Sequence, residues 1–130
     1  MPNSVSTPAK FTLTLSAAGV LLHVYTAVFR ADGGLSWFLL GLVLLSCLPY
    51  GIAAALTRAR RAHLLALGWA IASLLADLYM HYSVFVAPKG STAALGLLFM
   101  PIWNLLVIGP AGAVAVWGCH RLFAAGRRTA

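Results

Sequence analysis

Residues 62–86 read AHLLALGWAIASLLADLYMHYSVFV, an apolar run broken near its far end by Asp77 and His81. A stretch of this length and composition covers the ~20 residues needed to cross a 30 Å hydrocarbon core. Asp77 is one of two acidic residues in the chain, the other being Asp32. An ionisable side chain at membrane depth costs about 2.5–3.5 kcal/mol on insertion scales, so it marks a partner or a task.

Three more apolar runs surround this one: 11–29, 35–56 and 93–119. The whole chain has 130 residues, 62% hydrophobic and 8% charged, with mean hydropathy +0.92. A water-exposed globule carries about 25% charged residues, which excludes that class. The links between runs (30–34, 57–61 and 87–92) are too short for anything but neighbouring antiparallel helices. The expected fold is therefore all-α, a polytopic membrane protein with four antiparallel transmembrane helices in an up-down-up-down bundle. The chain reads as a single domain, with the first run retained as a span, not cleaved as a signal.

The net charge of +7 does not imply nucleic acid, because the basic residues are sorted by side. Lys10, Arg58, Arg60, Arg61, Arg121, Arg127 and Arg128 fall on one side, Arg30 and Lys89 on the other. The positive-inside rule then expects both termini in the cytoplasm, in a bacterial inner membrane. Asp32-Gly33-Gly34 suits a tight outer turn, and Gly90-Ser91-Thr92 offers a hydroxyl cap for the last helix. Cys47 and Cys119 show no pairing motif and read as small packing residues.

Counting 1.5 Å per residue places His23 about 18 Å, Asp77 about 22 Å and His81 about 28 Å above the inner membrane edge. Asn104, descending on the fourth run, arrives near mid-membrane. Ala70, Ser73, Asp77, His81 and Val84 follow three- and four-residue steps and share one helix face. Asp77 and His81, one turn apart, are expected to pair, with His23 and Asn104 in support and the hydroxyls of Tyr25, Tyr79 and Tyr82 at similar depth. Such a cluster serves either as a proton- or ligand-handling site or as a set of hydrogen bonds locking helices together.

Pro101, Gly109-Pro110 and Gly112 should bend or interrupt the fourth helix near Asn104. Asn104 could then satisfy a freed carbonyl or reach Asp77. Gly68, Ala72 and Ala76 form a small-xxx-small stripe, suited to packing within the bundle or to another copy or membrane protein. No catalytic motif is present, and two acids preclude a carboxylate-rich metal cluster. No cofactor is called for; haem or a transition metal on His23 and His81 is the remaining cofactor reading, without diagnostic spacing. His63 and His120, beside Arg61 and Arg121, read as interfacial.

Two function classes follow. The first is a non-enzymatic accessory protein, built like immunity proteins or small subunits of membrane complexes. The second is a proton-coupled transporter or ligand-binding membrane protein using Asp77, His81, His23 and Asn104.

Overall fold

The computed structural model describes residues 6–30, 36–88 and 93–127. The Asp32-Gly33-Gly34 turn, Leu35, Lys89, the Gly90-Ser91-Thr92 cap and Arg128 lie outside the described residues. Among the described residues every element is helical: α1 (Thr7–Phe29), α2 (Trp37–Leu56), a 3-10 turn (Arg60–Ala62), α3 (His63–Phe85), α4 (Ala93–Trp103), a π-helical turn (Asn104–Ile108) and α5 (Gly109–Gly126). Four helical stretches are long and apolar enough to cross a membrane: Thr7–Phe29, Trp37–Leu56, Arg60–Phe85 and Leu95–Gly126.

The helix ends overrun the apolar runs at both termini. α1 starts four residues before Phe11, with Ser6 as N-cap and Pro8 in the first turn, where its missing N–H costs nothing. α5 continues past Cys119 to Gly126. Apolarity reports where a helix meets hydrocarbon, whereas backbone hydrogen bonding sets where it stops. Ser36 caps α2 by accepting from the Leu39 N–H at 3.1 Å. Pro88 follows the end of α3, as a helix-terminating residue should.

The interior is built from small and polar side chains. Ala9, Ala53, Ala66, Ala70, Thr12, Ser16 and Ser73 are all buried, while Leu21, Leu44, Leu75, Leu106 and Leu122 face outward. A soluble fold would hide those leucines. Close helix packing through small residues, with large apolar side chains outside, is the pattern lipid favours.

α3 is the central helix, in contact with α1, α2, α4 and α5. Hydrogen bonds tie it to α1 at matching heights: Ser6 to His63, His23 to Asp77 and Thr26 to His81. The two helices therefore run in the same direction. At the first tie, His63 Nε2–H donates to the Thr57 carbonyl at 2.8 Å, so Nδ1 accepts from the Ser6 hydroxyl. His63 is a fastener at the base of the bundle. Cys119 is exposed, so it is not a packing residue inside the bundle; Cys47 is half-buried.

Gly68 and Ala72 of the small stripe pack α3 on α5. A Cβ on Gly68 would strike the Gly112 carbonyl, and one on Gly112 would strike Ala72 and the Gly68 carbonyl. Between α1 and α2, Gly19 lies flat against the Tyr50 ring, which a Cβ there would enter.

The expected interruption of the fourth helix takes the form of a π-helical turn. Its last N–H, on Gly109, reaches back five residues to the Asn104 carbonyl. Pro110 has no N–H, and its ring would press on the carbonyl one turn earlier; the wider turn relieves that contact. Asn104 opens this turn and is fully buried.

Candidate functional site

The Asp77 carboxylate, 1% exposed, is bonded by a side chain from each of the other three spans. His23 Nε2 of α1 lies 3.0 Å from Oδ2, the Tyr50 hydroxyl of α2 donates to Oδ2 at 2.5 Å, and Asn104 Nδ2 donates to Oδ1 at 2.8 Å. Asn104 thus takes the second of its two expected roles. A carboxylate at this depth needs such a set of donors, because no solvent replaces them.

His81 does not pair with this carboxylate. Its Nδ1–H donates to the main-chain carbonyl of Asp77 at 2.8 Å. Helical side chains tilt toward the N-terminus, so the His81 ring folds back onto the i−4 carbonyl. The same tilt carries the Asp77 carboxylate down and away from it. The expected Asp77/His81 pair is therefore an Asp77/His23 pair, and His81 is held alongside. The His23 and His81 rings meet edge to face, 5.5 Å apart.

Tyr25, Tyr79 and Tyr82 do not join the cluster; all three are exposed on the outside of the bundle. The tyrosine that does is Tyr50, which sequence reasoning left out. A signal for it existed. A tyrosine deep in an apolar span needs a partner for its hydroxyl, and Asp77 is the one acid in any span. Replacing Tyr50 with phenylalanine should cost about 1 kcal/mol, since the ring and the other two donors remain. Thermal unfolding in detergent, followed by circular dichroism, would measure it; a loss of several kcal/mol would show that Asp77 depends on this hydroxyl.

Hydrogen bookkeeping gives the site two proton positions. If the Asp77/His23 dyad is net neutral, it holds either a carboxylate beside an imidazolium or a carboxylic acid donating to Nε2. In both forms Nδ1 of His23 carries a hydrogen. Removing it leaves a net negative charge in the bundle. At His81, Thr26 Oγ1 lies 2.9 Å from Nε2 and 2.9 Å from the Leu22 carbonyl. With neutral His81 the Thr26 hydroxyl donates to the ring. With protonated His81 it accepts, and turns its own hydrogen to Leu22. Neither change moves a heavy atom.

Both imidazoles line a cavity of about 590 Å³ between α1, α2, α3 and α4. Thr26 and Ser46 share its polar end, Leu42, Val43 and Leu98 supply apolar wall, and Arg30 and Phe38 lie toward the helix ends. Along one side rings follow in sequence: the Arg30 guanidinium 4.8 Å over Phe85, Phe85 5.9 Å from His81, then His23 and Tyr50 6.0 Å apart. Among the described residues no three His, Cys, Asp or Glu side chains are grouped to hold a metal ion. Haem ligation by both His23 and His81 would require breaking the bonds to Asp77 or Thr26. Comparison of the chain with family models, curated proteins and solved structures finds no match.

Proposed function

We propose that this chain is an integral membrane protein that binds a small lipophilic molecule in the cavity and couples that binding to a proton on the Asp77/His23 dyad. The observation that carries the reading is the cavity's polar end. Two imidazoles face a space of about 590 Å³, and one of them is backed by a buried carboxylate. Ligand sites have this make-up, mostly apolar wall with a few convergent polar groups. Pairing around Asp77 is also incomplete: the buried Asn104 Oδ1 and Ser73 Oγ make no hydrogen bond among the described residues. A clamp serving stability alone gains most when every member is satisfied.

In this reading the spans form an up-down-up-down antiparallel bundle. The bias of basic residues favours both termini and the Arg58–Arg61 link on the cytoplasmic side. The cavity then lies in the outer half.

An accessory role, in which the bundle serves another membrane protein, is the second reading. Its support is that Asp77 binds side chains from all three other spans, as a fastener would. On this view Ala76 and the outward-facing surface, with Gly68 and Ala72 already engaged by Gly112, meet the partner.

Mass spectrometry of small molecules retained by the purified protein separates the two. Wild type is expected to carry a bound species that Ala27→Phe, which fills the cavity, does not, both proteins being equally helical by circular dichroism. Matching extracts from both would sink the ligand-binding reading.

A further inference from the structure

The chemistry of the two ends of the cavity narrows what it can hold, a step that rests on the cavity being a binding site. Among the described residues Arg30 is the one formally charged side chain in its lining, and none of the described lining residues is an acid. Asp77 sits behind His23 and is already taken by three donors. Against these residues a cationic ligand would meet a like charge, whereas an anion would be matched. The guanidinium carbon rests on the Phe85 ring, a contact that orients the group, and among the described residues its N–H edges donate to no side chain.

The opposite end offers neutral hydrogen bonding. His23 uses Nε2 on Asp77, and among the described residues its Nδ1 makes no hydrogen bond. The Ser46 hydroxyl, lining the same space, likewise makes none. An imidazole nitrogen, a donor when the dyad is net neutral, and a hydroxyl therefore wait at the deep end. His81 and Thr26 beside them are occupied with each other. A plain hydrocarbon tail would leave the deep groups unpaired once water is expelled, which is costly in a low-dielectric site.

His23 on α1 and Arg30, the residue that caps its C-terminus, lie seven residues apart, about two turns along one face and about 10 Å in height. We infer that the cavity takes an amphiphile with an acidic group at one end, an apolar body, and a hydroxyl or carbonyl oxygen about 10 Å away at the other. The acid sits on Arg30, and the distal oxygen sits on His23 Nδ1 and Ser46 Oγ. Hydroxylated or oxo fatty acids have this chemistry.

Calorimetric titration of the full-length protein in nanodiscs at pH 8 tests it with three probes of one length: 10-hydroxydecanoate, decanoate and 1,10-decanediol. The hydroxy acid is expected to bind about tenfold more tightly than either of the others, the effect of one charge-assisted or neutral hydrogen bond in a dry site. Arg30→Gln should erase the advantage over the diol while leaving the fold intact, since Arg30 lies at the helix end. Decanoate matching the hydroxy acid would overturn the deep oxygen subsite, and the diol matching it would overturn the Arg30 subsite. Equal binding of all three to wild type, lost in Ala27→Phe and in Leu42→Phe, would overturn the ligand class yet leave the cavity as a binding site. Equal binding to wild type and both filled variants would bring down the cavity reading as well.

Discussion

Replacing Asp77 with alanine is expected to destabilise the bundle by about 2–5 kcal/mol, the largest effect of any single side-chain truncation in the interior. The Tyr50 hydroxyl, the His23 imidazole and the Asn104 amide would all lose their acceptor at once. A buried donor left unpaired costs about 1–3 kcal/mol. Interhelical hydrogen bonds measured within membranes average nearer 0.6 kcal/mol, which sets the lower end of the range. The Asp77→Asn variant should be far milder. Its Oδ1 still accepts from Asn104, and its amide can donate to His23 Nε2 in the neutral tautomer whose hydrogen is on Nδ1. Only the Tyr50 hydroxyl is left short, for about 1 kcal/mol. Unfolding in mixed micelles, monitored by circular dichroism, would rank the two. Equal loss from both variants would show that the negative charge itself, and not the set of acceptors, holds the spans together.

Gly112→Val should be comparably damaging for a steric reason. A Cβ at Gly112 runs into the Gly68 carbonyl and Ala72. Backbone cannot step aside by changing rotamer, so α3 and α5 must separate. Overpacking of this kind costs about 1–3 kcal/mol, and more where backbone is the obstacle. The damage should spread, because α5 continues from the π-helical turn that presents Asn104 to Asp77. Gly51 and Gly118 provide the control, with nothing within 4 Å of an added Cβ. Alanine at either is expected to stabilise its helix by about 0.5–1 kcal/mol, the ordinary Gly-to-Ala gain. Thermal unfolding of the three variants side by side would expose the contrast. A mild Gly112→Val would mean that α3 and α5 do not pack through their glycines.

The Asp77 face of α3 is legible in the sequence. Ala70, Ser73, Asp77 and His81 are all buried, as three- and four-residue spacing requires. Depth counting brought His23 and Asn104 to the level of Asp77, and both reach its carboxylate. Partner choice was not legible. Spacing of four residues puts Asp77 and His81 on one face, but the direction of the Cα–Cβ bond sends their polar ends apart. The tyrosines of α1 and α3 were at the right height and the wrong azimuth, while Tyr50 had the right azimuth on a helix with no charged side chain.

The sequence by itself determined that four apolar helices are available, that basic residues concentrate at the termini and in the second link, and that one acid lies deep among them. These follow from composition along the chain, because transfer free energy depends on residue type and run length. Only the tertiary structure decided which imidazole holds Asp77, that Tyr50 is its third donor, and that a cavity ends on His23 and His81. Those outcomes depend on the rotation of each helix about its axis. Close contacts set that rotation, Gly68 on Gly112 and Gly19 on Tyr50, through residues whose small size carries no polarity to read.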